Sequence, residues 1–158
     1  MEIHENAKVE TIKAYFDERE WNYEIEFKND TYSIFTCFDG THETLTFRIN
    51  IHADTDIYNI ACRPDRIIPV DCLEKAKSVV NDFNLGSLLI CSCIASKGNI
   101  IFYISRQLKN QTFTQETFED DFERLFRIAD NESAHIYMRS VNPEVKKKGL
   151  LARLIKQQ

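Results

Sequence analysis

Between residues 5 and 19 the apolar positions Val9, Ile12, Tyr15 and Phe16 recur at three- and four-residue steps with charges between them, the spacing of a helix with one buried face. Asn6 stands where a side-chain oxygen can accept from the first free amides, an N-cap position. The period then falls to two. Tyr23, Ile25 and Phe27 alternate with Asn22, Glu24, Glu26 and Lys28, which predicts a strand, and Asn29-Asp30 supplies a turn. TYSIFTCF continues as a second strand up to Asp39-Gly40, where glycine is expected to supply the positive φ of a tight hairpin. In LTFRINIH, Leu45, Phe47, Ile49 and Ile51 face one way and Thr46, Arg48, Asn50 and His52 the other, the pattern of a sheet covered on one side. IYNIACR is a fourth strand, stopped by Pro64.

Helical spacing returns in IIPVDCLEKAKSVVNDFNLG through Leu73, Ala76, Val79, Val80 and Phe83, with Asp71 as candidate N-cap and Asn84 and Gly86 as stop residues. SLLICSCIA and NIIFYISRQL follow as strands joined by Ser96-Lys97-Gly98-Asn99. Apolar residues on both faces of each predict interior strands. The last helix is announced by Phe113 before Thr114: with Thr114 as N-cap, Phe113 can close on Phe118 as a hydrophobic staple. Phe118, Phe122, Leu125, Phe126 and Ala129 continue its apolar stripe. The predicted class is α+β, an antiparallel sheet with helices packed on one face, in the order α-β-β-β-β-α-β-β-α, plus a C-terminal basic helical tail. Phe83, Phe113, Phe118, Phe122 and Phe126 are expected to cover that face. The division falls at 1–141 for the domain and 142–158 for the tail, after which EVKKKGLLARLIKQQ clusters Leu150, Leu151, Leu154 and Ile155 among basic residues.

At 158 residues the chain suits one domain, and a hydrophobic fraction of 43% is enough for an ordinary core without staples. No apolar run approaches the ~20 residues of a membrane span, and the first residues lack the basic and apolar regions of an export signal, so a cytoplasmic location is expected. The net charge of −5 is uneven: residues from Arg139 onward carry +5 and the rest −10. Such an acidic body disfavours a broad nucleic-acid surface, which needs clustered Lys and Arg. Nucleic acid is therefore not an expected partner, except through the tail.

The five cysteines are odd in number and irregularly spaced, so they are expected to be free thiols, mostly buried. Cys91 and Cys93 would share one strand face about 6.7 Å apart along the chain, a poor fit to two ligands each about 2.3 Å from one zinc ion. Cys72 near a helix start has Asp71 and Glu74 against thiolate formation. Asp54-x-Asp56 and Asp120-Asp121 lack the further oxygen ligands of a calcium loop and are expected to be solvated charges. There is no GxSxG, GxGxxG, P-loop or HExxH pattern, so no metal, cofactor or catalytic set is expected. The basic amphipathic tail is the candidate partner contact, through Lys146, Lys147, Lys148, Leu151, Arg153 and Leu154; packing on its own body or on a sister subunit is the competing role.

Two stretches, IIPVDCLEKAKSVVNDFN and SKGNIIFYISRQL with the following FTQETFEDDFERLFRIAD, carry a resemblance. Over residues 7–138 the chain resembles the YbjN-like family, whose fold is similar to that of type III secretion chaperones: a helix, a run of antiparallel strands, a helix, two strands and a closing helix. The resemblance implies a non-enzymatic protein-binding module in bacteria, regulatory or chaperone-like, with an unidentified protein partner and a homodimeric state. It carries no catalytic residues across. It also implies that the exposed sheet face, and the groove between the last helix and the sheet, are the partner surfaces. Two alternatives remain: a small enzyme or ligand-binding domain assembled from scattered residues such as Arg48, His52, Asp54 and Cys91, and a membrane or nucleic-acid contact made by the tail.

Overall fold

The structure is a computed structural model that describes residues 6–53, 55, 57–108 and 113–142. Its elements are α1 (Ala7–Asp17), β1 (Glu24–Lys28), β2 (Thr31–Asp39), β3 (Thr44–His52), β4 (Ile57–Pro64), α2 (Leu73–Gly86), β5 (Cys91–Ile94), β6 (Ile100–Gln107) and α3 (Gln115–Val141). The strands form one antiparallel sheet in the order β1-β2-β3-β4-β6-β5. The expected class and element order are those observed. Asp54, the basic tail and with it Lys146, Lys147, Lys148, Leu151, Arg153 and Leu154 lie outside the described residues. No helix among those described is long and apolar enough to cross a membrane.

Local signals act where the sequence placed them. Asn6 Oδ1 accepts from the amides of Lys8 (3.0 Å) and Val9 (3.4 Å). Asn29 and Asp30 both take positive φ, 50° and 56°, so a two-residue turn joins the Lys28–Thr31 pair with the twist a hairpin needs. Thr114 caps α3 by accepting from Thr117 N, and the Phe113 and Phe118 rings lie 6.3 Å apart. Leu45, Phe47, Ile49 and Ile51 on β3, Tyr58, Ile60 and Cys62 on β4, and Ile100, Phe102 and Ile104 on β6 all point into the helix-covered layer. There they meet Ile12, Tyr15 and Phe16 of α1, Val79 and Val80 of α2, and Phe118, Phe122 and Leu125 of α3.

Four expectations are corrected. β5 is an edge strand, because the chain leaving α2 lands outside β6, and β6 alone turns back to pair with β4. Cys91 and Cys93 do share a face, but it is the uncovered one, and both are exposed; Cys37 is exposed too, Cys72 half-buried, and of the five free thiols only Cys62 is buried. Asp71 does not cap α2: a 3-10 turn, Val70–Cys72, leads into that helix with no side-chain cap. Gly40 has no positive φ; it is glycine for space, since a Cβ there would run into Asp130 Oδ1 and sit 2.9 Å from the Glu43 carbonyl. Among the described residues the positive-φ glycine is Gly98 (85°), whose Cβ would overlap the Ile68 carbonyl.

The thiol pattern is directly measurable. With a thiol reagent under native conditions, Cys91 and Cys37 are expected to react quickly. Cys93 should follow more slowly, because partial desolvation raises its thiol pKa, and Cys62 should react only on unfolding, its thiol pushed far up by burial and by nearby Glu43 and Asp130. Reaction of Cys62 at the rate of Cys91 in folded protein would contradict the packing described here.

The outer edge of β5 is closed by a side chain. Asn84 of α2 donates through Nδ2 to the Ser92 carbonyl (2.9 Å) and accepts through Oδ1 from the Ser92 amide (2.7 Å), taking the place of a neighbouring strand. The amide of Ile90 is met by Ser87 Oγ at 3.3 Å. Asn84, expected as a helix stop, is instead the edge guard, and the helix runs on to Gly86. At the opposite edge β1 is guarded by charge, with Glu24, Glu26 and Lys28 exposed on one face.

Candidate partner-binding groove

Helix α1 ends in a turn that delivers Trp21 to the mouth of a groove. Glu20 takes φ 54°, its amide bonds the Asp17 carbonyl, and the Trp21 amide reaches back to the Phe16 carbonyl at 3.0 Å. This is a Schellman closure, with its usual apolar contact between Trp21 and Phe16, rings 6.0 Å apart. A non-glycine residue at positive φ costs about 1 kcal/mol, and the Trp21 packing offsets it. Arg19 lies over the Tyr15 ring at 3.8 Å and pairs with Glu119 of α3, which ties this turn to the last helix.

The groove's second wall comes from β2 and α3. Phe38 packs edge-on against Trp21 (4.6 Å) and lies 5.9 Å from Phe122, while Phe126 stacks on Phe47 at 6.0 Å. Between them opens a cavity of about 580 Å³ lined by Trp21, Phe38, Phe122 and Phe126, with Asp39, Glu123 and Arg127 around it. A space of this size with an aromatic lining and a few charged groups suits an apolar side chain or two of a binding partner. Its lining holds no histidine, cysteine or hydroxyl nucleophile.

Buried polar groups of α3 hold the groove's frame. Asp130, 6% exposed, accepts from the amides of Thr41 (2.8 Å) and His42 (3.4 Å), which pins the β2–β3 turn to the helix. Glu43 in the same turn accepts from Ser133 Oγ (2.6 Å) and from Arg66 N (2.7 Å) and Nε (3.2 Å). Directly before Phe122 in α3, Asp121 is 2% exposed and holds Arg106 in a fork, Nε at 2.5 Å and Nη2 at 2.6 Å, while the Tyr58 hydroxyl donates to the same carboxylate. The expectation that Asp120-Asp121 is a solvated pair is thus wrong for Asp121, which lies on the apolar stripe three residues after Phe118.

These surroundings set an alkaline limit. Burial raises the phenol pKa of Tyr15 and of Tyr23 from 10.0 to about 12; Glu119 and Glu123 add to the first and the Asp17 hydrogen bond to the second. Burial, then the bond to Asp121, pushes Tyr58 further up. Since the folded values are raised, the protonated phenols favour the fold fully below pH 10 and that contribution is lost as pH climbs through 12. The melting temperature is expected to fall steeply over that interval, with phenolate absorbance rising at the same pH. A flat melting temperature to pH 12 would contradict the burial of these rings.

The scattered residues considered for an enzyme are not gathered. Arg48 and His52 lie on the uncovered face of β3, where His52 Nδ1 is 3.1 Å from Thr31 Oγ1. Cys91 is three strands away across β4 and β6, roughly 14 Å at the usual strand spacing. Among the described residues there is no group of three or more side chains placed to hold a metal ion. The groove itself was foreseen only as a general location through the family resemblance. Trp21, Phe38, Glu123 and Arg127 escaped sequence reasoning because they come from three separate segments. The available signal was a single tryptophan set directly after a run of charge at a helix end.

No protein-family model matches the sequence, and no protein of curated function matches it. A solved structure does. The fold is that of YbjN from E. coli, a candidate transcription regulator, with a TM-score of 0.57 over 80% of this chain and 92% of that one. The two sequences are 14% identical, so the likeness to YbjN is one of fold. The resemblance drawn from the sequence is supported at that level.

Proposed function

We propose that the protein is a non-enzymatic protein-binding module, regulatory or chaperone-like, working in a bacterial cytoplasm, and that it seats an apolar segment of its partner in the groove between Trp21, Phe38 and Phe126. The observation that carries this reading is the aromatic cavity of about 580 Å³ with charges at its rim. The fold shared with a candidate transcription regulator agrees with it.

Position 127 is the place to test the reading, because Arg127 is exposed at the rim and a photoreactive residue there leaves the core intact. Illumination in the native host should give a discrete cross-linked partner from position 127 and not from the exposed control position 77. A peptide copying the captured segment should then shift the emission of Trp21, the chain's single tryptophan. Identical adducts at both positions, or a silent Trp21, would sink the proposal.

The homodimer expected from the resemblance belongs to the same reading. The α2–β5 connection supports it with apolar surface, Leu85, Leu88 and Leu89 being 90%, 100% and 51% exposed. Light scattering that gives only monomer at high micromolar concentration would remove this part. The basic tail is proposed as an auxiliary contact, and deleting residues 142–158 should weaken partner capture without abolishing the signal at Trp21.

A further inference from the structure

The uncovered face of the sheet lies on the opposite side from the aromatic groove and differs from it in chemistry. Strand register sets Cys91, Tyr103, Ala61, Arg48, Phe35 and Glu24 in one row across all six strands. Arg63, opposite Thr46, falls in the neighbouring row and stands diagonally from Arg48. Between the two arginines lies a shallow groove of about 490 Å³ floored by Phe35, Ala61 and Ile101, with Asn50 at its side; no carboxylate is among its lining residues.

The charges of this groove are not neutralised from within. Arg19, Arg66, Arg106 and Arg139 each sit against a carboxylate. Arg48 is instead oriented by neutral groups: Nε donates to Asn50 Oδ1 at 2.9 Å, Nη2 to Ser33 Oγ at 3.2 Å, and the guanidinium lies 5.4 Å from the Phe35 ring centre. Ser33 and Asn50 are themselves fixed, by a bond between them at 2.9 Å and by Asn50 Nδ2 donating to Asn59 Oδ1 at 3.3 Å. A guanidinium has five N–H donors in a planar fork, so most of those of Arg48 remain for a ligand. The Arg63 side chain has no hydrogen bond or ion pair among the described residues, and the residue is exposed.

Two positive charges, Arg48 held by neutral groups and Arg63 exposed, beside an apolar floor on a protein of net charge −5, call for an anion that also brings apolar surface. A long polyanion fits poorly. Glu24 and Glu26 line the β1 edge of the same face, and two arginines are too few to hold a nucleic-acid backbone against an acidic body. We infer that the uncovered sheet face is a docking site for an extended acidic peptide segment, whose carboxylates bind Arg48 and Arg63 while an apolar side chain between them rests on Ala61 and Ile101. This goes beyond the groove reading and does not depend on it.

Three fluorescein-labelled probes test the inference: a short peptide of alternating Glu and Leu, its Gln-for-Glu counterpart, and single-stranded oligo-dT. The acidic peptide is expected to bind, to shift the backbone amide resonances of Ala61 and Ile101, and to weaken with added salt. Its affinity should fall roughly tenfold with Arg63→Gln and further with Arg48→Gln added, while Lys77→Gln, at an exposed position on α2, leaves it unchanged. Because Arg63 has no partner to lose, Arg63→Gln should keep the wild-type melting temperature, which separates lost binding from lost folding. Absence of binding by the acidic peptide, equal binding of the glutamine peptide, survival of binding in the double variant, or preference for oligo-dT would each overturn it.

Discussion

Asp121→Ala is expected to lower the unfolding free energy by about 3 kcal/mol, toward the lower end of what removing one partner of a buried ion pair costs. Asp121 is 2% exposed and satisfies three donors, one from Tyr58 and two from Arg106. Without the carboxylate, the Tyr58 hydroxyl is stranded in the core and the guanidinium loses its counter-ion. The loss stays near the lower end because the Arg106 side chain is 36% exposed and can turn toward water. Asp121→Asn, which keeps an acceptor for Tyr58, should cost less. The triple replacement Asp121→Leu, Arg106→Met and Tyr58→Phe should recover most of the loss, because the cost is that of unpaired polar groups and the triple variant leaves none. Urea denaturation followed by circular dichroism measures all three. A single-variant loss below about 1 kcal/mol would mean that the cluster is wetter than its geometry implies.

Asn84→Leu is expected to destabilise by roughly 2–3 kcal/mol, the effect of leaving both the amide and the carbonyl of Ser92 without partners. It should also change behaviour in solution. With Asn84 gone, the outward backbone groups of β5 are free to pair with another chain, and the segment from Leu85 to Ser96 contains no charged residue to oppose that pairing. Rising light scattering and thioflavin fluorescence should therefore accompany the lost stability. Asn84→Asp keeps the acceptor but turns a negative oxygen toward the Ser92 carbonyl, so it should be destabilised as well. If Asn84→Leu were as stable and as monodisperse as the parent protein, α2 would have no part in closing the sheet.

Both predictions fall on polar residues whose roles the sequence disguises. Asp121 and Asp130 sit at helical steps from Phe118 and Phe126, on the face that packs against the sheet, and that spacing was a usable signal. An acidic residue on an apolar stripe needs a buried partner. What the spacing could not reveal was the partner: Arg106 comes from β6, and the amides bound by Asp130 come from a turn 89 residues away. Asn84 is harder still, because asparagine near a helix end is common for local reasons. The groove is hidden for the same cause, its walls meeting only after α1, β2 and α3 have packed.

The misreading of β5 has a different origin. Its sequence is apolar enough for an interior strand, and an edge strand guarded by a side chain from a helix needs no lysine or proline to mark it. Exposure of Cys91 and Cys93 follows from which face of the sheet the helices cover, and with apolar residues on both faces of β5 the alternation does not say which.

By itself the sequence determined the order of helices and strands, the Asn6 and Thr114 caps, the Asn29-Asp30 turn and the face of β3 that goes inside, since each rests on residues within a few positions of one another. The tertiary structure decided which strand lies next to β4, which aspartates are buried, what closes the edge of β5 and where Trp21 meets Phe38 and Phe122. Those are contacts between residues up to about a hundred positions apart, and their free energies are gained only once the chain's path has brought them together.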